Sequence, residues 1–476
     1  MKDKSNFLYM RVLPLTICSL LSISLLLLYF YNLPFSPSSK NEFTQSKPII
    51  NIISQSSLLV PPPSSSYSGI CPRSSRRSIK NDYLLILISN LRLFCWLTRL
   101  LHFLISEKKK AYQKQCDYSK GDWIKDTKGP LYNDTTCSLM KEGRNCIKHG
   151  RPDSDYLYWR WKPNECYLPR FEPKTFLQLI NNKHIAFVGD SMARNQLESL
   201  LCMLSATSIP KLVYKNSIGK DSQFSRWYFS SYNVTISLYW SPFLVQGIEK
   251  SNNRPNNELY LDHVDEKWAK DMDQMDMIVF SIGHWFLLQA IYLEGNSILG
   301  CHYCGLNYTD VGFYDVLRKS LRTSLNSIID RRGHKGKNGI DVVVTTFTPH
   351  HFEGAWDKAG ACPKTKPYRS EEKKVEGMDN EMRKVEVEEV ENAKNKGNEF
   401  GRFRFEVLDI TNLALLRPDG HPGPYMNPFP FFNGVQEYVQ NDCVHWCLPG
   451  PIDTWNEIFL ELIKKWEEQP RIDLSI

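Results

Sequence analysis

One serine and a distant acid–base pair supply the residue types that acyl transfer requires. Ser191 closes a Gly189-Asp190-Ser191 turn, whereas Asp442 and His445 stand three residues apart near the other end of the chain. A serine hydroxyl attacks an ester or thioester only when a base removes its proton, and histidine is the usual base. A carboxylate must orient that histidine and stabilise its charged form. We therefore predict Ser191 as the nucleophile, His445 as the base and Asp442 as the orienting acid.

The residues around Ser191 predict the local geometry that such a nucleophile needs. Residues 184–188 form an apolar run typical of a buried parallel strand. Leucines recur at helical spacing after the serine. A strand, a tight glycine turn and a helix place the serine at the C-terminal edge of a sheet, with backbone N–H groups pointing at it. A Gly-Asp-Ser match without this context would be expected by chance.

Alternating strand-like and helix-like segments predict the fold class. Similar apolar runs occur at 277–281, 342–347 and 405–410, and helical patterns cover 313–329 and 378–395. This alternation favours an α/β fold with a mostly parallel sheet and right-handed crossovers. The ligand site of such a sheet lies at the C-terminal ends of its strands. Residues 116–170, rich in cysteine, tryptophan and turn residues, predict a loop-rich N-terminal subdomain before a catalytic domain at 171–470.

Other histidines compete with His445 for the role of base. His284 and the pair His350-His351 follow predicted strands, and His421 lies in a glycine- and proline-rich turn. A pocket position is open for His284, and a second site or a substrate wall for His350-His351, but we prefer structural hydrogen bonding for all four. A zinc site is a further alternative. We disfavour it because the spacing of its cysteine and histidine ligands is loose, and because the oxidising compartment argued below favours disulfides over free thiolates. Its ligands would be Cys301, His302, Cys304, Cys443, His445 and Cys447.

The charge distribution argues against nucleic-acid binding, although the chain carries a formal charge of +7. Residues 71–114 contain ten Lys or Arg and two Asp or Glu, a local charge of +8, so the rest sums to 7 − 8 = −1. A nucleic-acid footprint requires a basic surface on the folded domain. We therefore expect no nucleic-acid partner.

Cysteine usage and glycosylation sequons predict an oxidising lumenal compartment. Ten of the thirteen cysteines fall in the folded region, an even number that fits up to five disulfides. They are Cys116, Cys137, Cys146, Cys166, Cys202, Cys301, Cys304, Cys362, Cys443 and Cys447. N-x-Thr sequons require lumenal exposure to be modified, and they occur at Asn133, Asn233 and Asn307.

The N-terminal region predicts a type II membrane anchor. Residues 12–31 are apolar and uncharged, long enough to span a bilayer. The basic flank in residues 1–11 predicts a cytosolic tail, and an uncleaved anchor is favoured over a signal peptide. Residues 32–115 are interpreted as a linker and insertion of low order. Its part at 69–112 is interpreted as a poorly ordered or membrane-surface insertion, with a second span, disfavoured by Arg92 and Arg99, and a gene-model artefact as alternatives.

Several segments together resemble the plant trichome birefringence-like family of polysaccharide O-acetyltransferases. The resemblance runs from Cys116 to about Trp466 and rests on residues 116–123, 158–161, 187–196, 416–424 and 442–456. It implies an SGNH/GDSL-like three-layer α/β fold, Golgi residence and an acetyl-enzyme on Ser191. It also suggests oxyanion or substrate-contacting roles for Gly189, Asp190, Arg194, Asn195, Gly283 and His284. Residues 69–112 depart from the family pattern.

The same resemblance narrows the substrate and suggests two disulfides. The segment 283–304 is similar to the xyloglucan-acting branch, in which side-chain galactose is acetylated. Expected pairs are Cys146–Cys447 and Cys362–Cys443. We expect no bound cofactor but an acetyl donor as co-substrate, with acetyl-CoA one candidate, and association with other Golgi glycan-synthesis proteins. Alternatives are an acetyl esterase, transfer to xylan or another wall polysaccharide, and a non-catalytic glycan-binding protein.

Overall fold

The computed structural model describes residues 116–218, 221–295, 297–333 and 339–469. The predicted tail, membrane anchor and insertion, residues 1–115, lie outside the described residues. Within the described ranges, no helix combines the length and the apolar character needed to cross a bilayer.

The secondary structure elements are numbered here in chain order. The strands are β1 (Gly121–Lys125), β2 (Trp159–Pro163), β3 (His184–Gly189), β4 (Lys211–Ile218), β5 (Asp221–Phe229), β6 (Val234–Trp240), β7 (Val245–Ile248), β8 (Asn257–Val264), β9 (Met277–Ser281), β10 (Ala290–Glu294), β11 (Ser297–His302), β12 (Ile340–Thr345) and β13 (Phe403–Leu408). The helices are α1 (Pro173–Leu179), α2 (Ser191–Ser205), α3 (Glu266–Ala269), α4 (Tyr314–Arg332), α5 (Gly377–Asn398), α6 (Thr411–Leu415) and α7 (Asp453–Glu468).

A mixed, mostly parallel sheet forms the centre of the fold. Its strand order is β13-β12-β9-β3-β6-β5-β4. The strands from β13 to β6 are parallel, and β5 and β4 add antiparallel pairs at one edge. The predicted α/β class is therefore confirmed, and the strand predicted at 277–281 has the bounds of β9.

Helices cover both faces of this sheet because its central strands are apolar on both sides. In β3, Ile185 and Phe187 pack into a cluster with α1, α2 and α7, while Ala186 and Val188 pack into another with α3, α4 and α5. All four side chains are fully buried. Successive strand residues point to opposite faces, so the continuous apolar run of β3 serves both clusters and fixes the strand at the sheet centre.

A second sheet, with the order β11-β10-β8-β7, was not predicted from the sequence. Its strands are half-buried: the burial of β8 alternates, and β11 exposes its first three residues. Such strands lack the continuous apolar runs of β3 and β9, which is why the pattern did not indicate them.

The N-terminal segment contains one two-stranded antiparallel sheet, β1 with β2, and short 3-10 turns. Three disulfides fasten it, and they are Cys116–Cys166, Cys137–Cys202 and Cys146–Cys447. The second reaches α2 and the third reaches the loop that carries His445, so this segment is tied to both parts of the candidate site.

Candidate active site

Ser191 is the first residue of α2 and directly follows the turn at the end of β3. The Asp190 carboxylate caps the helix by accepting a hydrogen bond from the Met192 amide at 2.8 Å. A Cβ on Gly189 would lie 1.9 Å from the Ser281 carbonyl oxygen, so only glycine fits where β3 passes β9. The turn leaves Ser191 half-buried at the N-terminal end of a fifteen-residue helix. This end of a helix favours developing negative charge.

Asp442 and His445 form a hydrogen-bonded pair. The Nδ1–H of His445 donates to Oδ2 of Asp442 at 2.7 Å, while Oδ1 accepts from the backbone amide of His445 at 2.9 Å. This bond fixes the neutral tautomer with the lone pair on Nε2. Nε2 is covered from solvent and has no hydrogen-bond partner among the described residues. It is therefore available to accept a proton.

The electrostatic surroundings keep this pair in the forms that a base requires. Burial on its own would raise the pKa of Asp442, but the charge and hydrogen bonds of His445 outweigh it and hold that pKa well below the usual range. Burial lowers the pKa of His445, and the positive charge of Arg144 lowers it further, against the attraction of Asp442. The imidazole is consequently neutral at neutral pH, with an ionised carboxylate beside it.

Asn195 joins the nucleophile helix to the histidine loop. It lies one helical turn after Ser191 and is fully buried. Its Oδ1 accepts from the Trp446 amide at 2.8 Å, and its Nδ2 donates to the Trp446 carbonyl at 3.3 Å. Because Trp446 follows His445, these bonds tie the loop that carries His445 to the helix that begins at Ser191. Asn195 thus makes a positioning contact, and the oxyanion or substrate role suggested for it above stays a prediction.

A second segment supports the histidine loop from the other side. Gly423 and Asp442 exchange backbone hydrogen bonds of 2.8 and 3.0 Å, and the Cys447 amide donates to the Gly420 carbonyl at 2.9 Å. The two disulfides expected from the resemblance, Cys362–Cys443 and Cys146–Cys447, are present on either side of His445. The loop is thus held at both ends.

Gly283 and His284 lie beside the nucleophile turn. Gly283 has φ of +149°, and a Cβ there would lie 2.5 Å from the Phe347 ring, so a side chain is excluded. Its N–H is directed at the buried Asp190 carboxylate, whose pKa burial raises to about 7. His284 donates from Nε2 to the Thr348 carbonyl at 3.0 Å. Burial, with the nearby His445, lowers the pKa of His284 to about 3, so this ring is neutral.

An aromatic pair borders the other side of the nucleophile turn. Trp240 is the register partner of Gly189 on the neighbouring strand. The guanidinium of Arg194 lies 5.0 Å from the centroid of the Trp240 ring, and Trp285 meets that ring edge-on at 5.4 Å. Arg194 and both tryptophans are half-buried. This arrangement presents apolar ring surface and a cation close to Ser191.

The remaining predicted residues are also placed. All ten cysteines of the described residues are paired, and the pair not yet mentioned is Cys301–Cys304. The sulfurs of the zinc alternative are therefore engaged in disulfides. The sequon residues Asn133, Asn233 and Asn307 are exposed, as glycosylation requires, and their modification remains a prediction. His350 is exposed, whereas His351 and His421 make structural hydrogen bonds.

A serine at the start of a helix on a parallel sheet, with an Asp–His pair on a loop bonded to that helix, is an arrangement typical of serine-dependent acyl chemistry. The model of the GDSL/SGNH-like Acyl-Esterase family found in Pmr5 and Cas1p matches residues 168–462. The PMR5 N terminal Domain matches residues 114–167. The chain therefore belongs to this acyl-esterase family.

Individual relatives place the chain in a narrower group. It is 66% identical over 363 residues to Xyloglucan O-acetyltransferase 1 of Populus trichocarpa, covering 76% of this chain and 84% of the relative. It is 56% identical over 354 residues to Xyloglucan O-acetyltransferase 1 of Arabidopsis thaliana, covering 74% of this chain and 81% of the relative. It is 44% identical over 352 residues to Protein trichome birefringence-like 26 of Arabidopsis thaliana, covering 73% of this chain and 77% of the relative. The predicted membership in the trichome birefringence-like family is confirmed.

Proposed function

We propose that this chain is an O-acetyltransferase that moves acetyl groups through Ser191 onto hydroxyls of xyloglucan, on its galactosyl side chains. The observation that carries the proposal is the hydrogen-bonded Asp442–His445 pair, clamped through Asn195 to the helix that begins at Ser191. The names of the relatives at 66% and 56% identity support xyloglucan as the acceptor.

In the first half-reaction, Ser191 Oγ attacks the acetyl carbonyl carbon of the donor while His445 Nε2 takes the hydroxyl proton. The carbonyl oxygen becomes an oxyanion next to the N-terminal end of α2, where the Ser191 N–H and the helix dipole stabilise it. Asp442 stabilises the imidazolium that has formed. The bond to the leaving group then breaks, the leaving group receives the proton from His445, and acetyl-Ser191 remains.

In the second half-reaction, a sugar hydroxyl attacks the carbonyl carbon of acetyl-Ser191. His445, neutral again, takes the proton of that hydroxyl. The ester bond to Ser191 breaks, Oγ recovers the proton from the imidazolium, and the acetylated sugar leaves. Water attacking at this stage would give acetate, so exclusion of water from the acetyl-enzyme distinguishes transfer from hydrolysis.

The Trp240–Trp285 pair supplies the acceptor platform in this proposal. Sugar rings carry an apolar face of C–H groups, and half-buried indole rings are suited to cover such a face while polar groups fix the orientation. Arg194 lies against Trp240 and is placed to donate hydrogen bonds to sugar hydroxyls. The platform borders the turn that carries Ser191, which orients an acceptor hydroxyl toward the acetyl group.

The cellular setting belongs to the same proposal. Residues 12–31 anchor the chain in the Golgi membrane with the catalytic region in the lumen, and the five disulfides and exposed sequons support an oxidising compartment. The acetyl donor is a co-substrate, for which acetyl-CoA is the first compound to test. Other glycan-synthesis proteins of the Golgi are the expected neighbours.

The test is incubation of the full-length chain with labelled acetyl-CoA and de-acetylated xyloglucan, followed by analysis of glycan-bound and free acetate. Label on galactosyl residues of the glycan is the expected result, with xylan and mannan as comparison acceptors. Release of free acetate without labelled glycan would instead identify an esterase. Unchanged product from Ser191→Ala would rule out the serine mechanism, and absence of any product from the parent protein would favour a binding protein.

A further inference from the structure

A pair of histidines lies directly beneath the catalytic loop and has no place in the mechanism above. His351 Nε2 lies 2.8 Å from the Leu415 carbonyl oxygen, and His421 Nδ1 lies 2.7 Å from the carbonyl oxygen of His445. Between them, His351 Nδ1 and His421 Nε2 are 2.7 Å apart. The pair therefore forms a continuous chain of contacts that ends on the backbone of the predicted base.

The number of hydrogens in this chain follows from its chemistry. A carbonyl oxygen can only accept, so His351 Nε2 and His421 Nδ1 must each carry a hydrogen. The contact between the two rings needs one more hydrogen, because two nitrogen lone pairs at 2.7 Å repel each other. Three hydrogens are thus required, whereas two neutral imidazoles carry two. We infer that the His351–His421 pair shares one extra proton, which lets it hold the His445 carbonyl and position the base.

The surroundings offset the cost of a buried charge. Burial, with the charge of His350, lowers the pKa of His351 to about 4, and burial, with the charge of His351, lowers that of His421. Against this, His421 stacks on the face of Trp446 with ring centroids 4.2 Å apart, a favourable place for a cation. Two carbonyl oxygens and the partner ring accept every ring hydrogen, and hydrogen bonds from a charged donor are the stronger kind.

Charged groups of both signs face the pair. The carboxylates of Asp419 and Asp442 favour the proton, and Asp419 is already paired with Arg417. Arg151 donates to the carbonyls of Asp419 and His421, which adds a positive charge nearby. Further charged or titratable neighbours are His350, Lys373 and His445.

The inference predicts that positioning weakens as pH rises. When the extra proton is lost, one of the three contacts must break, and the carbonyl of His445 is then held in only part of the molecules. Activity should accordingly fall at higher pH through the titration of the pair, while the lower limb reflects His445 itself. This kinetic consequence rests on the proposed function, whereas the hydrogen count does not, so the two can fail separately.

Nuclear magnetic resonance on the full-length chain with ¹⁵N-labelled histidine tests the hydrogen count directly. His351→Gln and His421→Gln assign the signals of the pair. Three slowly exchanging ring N–H hydrogens on the pair, at the pH of maximal activity, are the expected result. Two such hydrogens there would overturn the inference. In the parent protein, ¹⁵N–¹⁵N coupling across the 2.7 Å contact between the two rings identifies the pair even if a variant fails to fold.

Kinetics of two variants test the positioning role. A glutamine amide at position 351 can donate one hydrogen to Leu415 and one to a neutral His421, so His351→Gln should keep kcat within about threefold and lose the alkaline limb. His351→Leu cannot donate, and its kcat should fall about tenfold. His263→Gln, on an exposed strand position, is the control. Parental kcat and pH profile in His351→Leu would contradict the positioning role.

Discussion

Replacing Asn195 by leucine tests whether the triad is assembled through the nucleophile helix. Leucine has a similar volume but cannot replace the hydrogen bonds of 2.8 and 3.3 Å to the Trp446 backbone. Each bond contributes about 1 kcal/mol, and the buried Trp446 amide left unpartnered costs a further 1 kcal/mol or more, giving about 3 kcal/mol or more in total. The loop that carries His445 then moves relative to Ser191. A displacement of about 1 Å lowers the rate about 100-fold.

The assay measures acetyl transfer to xyloglucan and urea-induced unfolding for the same preparations. We expect Asn195→Leu to lower kcat about 100-fold with little change in acceptor KM, because Asn195 is fully buried and bonds to the loop backbone. Gln196→Leu is the matched control: the neighbouring residue is equally buried but bonds to Asn456 and Thr345, not to the loop. It should lose stability yet keep kcat. Equal kcat losses in the two variants, or parental kcat in Asn195→Leu, would refute the reasoning.

Three further changes probe the charge, the loop and the platform. Arg144→Gln removes a positive charge that lowers the pKa of His445, so that pKa rises and the acid limb of kcat/KM moves to higher pH. Changing Cys362 and Cys443 together to serine opens a disulfide spanning 81 residues, which should lower the free energy of unfolding by about 4 kcal/mol. Trp285→Ala should raise the acceptor KM about tenfold, as expected for loss of a sugar-stacking ring.

Each of these changes has a control within the chain. Arg369→Gln removes an exposed cation and should leave the pH profile unchanged; an unshifted acid limb in Arg144→Gln would contradict the electrostatic argument. Opening Cys301–Cys304, whose cysteines are three residues apart, should cost much less stability than the long bridge. Tyr167→Ala removes an exposed ring bordering a different groove. A larger KM effect there than in Trp285→Ala would refute the platform.

The sequence predicted those parts of the fold that depend on local pattern. Strands β3 and β9 are continuous apolar runs because both of their faces are buried. Such a run can be recognised in the sequence without knowing which strands pair with it. Strands β12 and β13 were predicted within about two residues for the same reason. The second sheet was missed because its strands are short, half-buried and paired across distant segments.

Of the candidate site, the sequence supplied residue types and the structure supplied contacts. Asp442 and His445 are three apart, so their pairing could be expected from local spacing. The bond from Asn195 to Trp446 spans 251 residues, and that from His351 to His421 spans 70. Nothing in spacing or periodicity encodes such contacts, since they depend on how the loops cross above the sheet. Only the turn at Gly189, between a predicted strand and a predicted helix, indicated from local sequence that the site lies at the C-terminal edge of the sheet.

The most direct test of the central claim is mass spectrometry of the peptide that contains Ser191. The full-length chain is incubated with acetyl-CoA without an acceptor, and the reaction is then quenched rapidly. The account predicts that an acetyl ester accumulates on Ser191, disappears on addition of xyloglucan with transfer of the label to galactose, and is absent in His445→Ala. Transfer to the glycan at the parental rate without an acetyl ester on Ser191, or with Ser191→Ala, would contradict it.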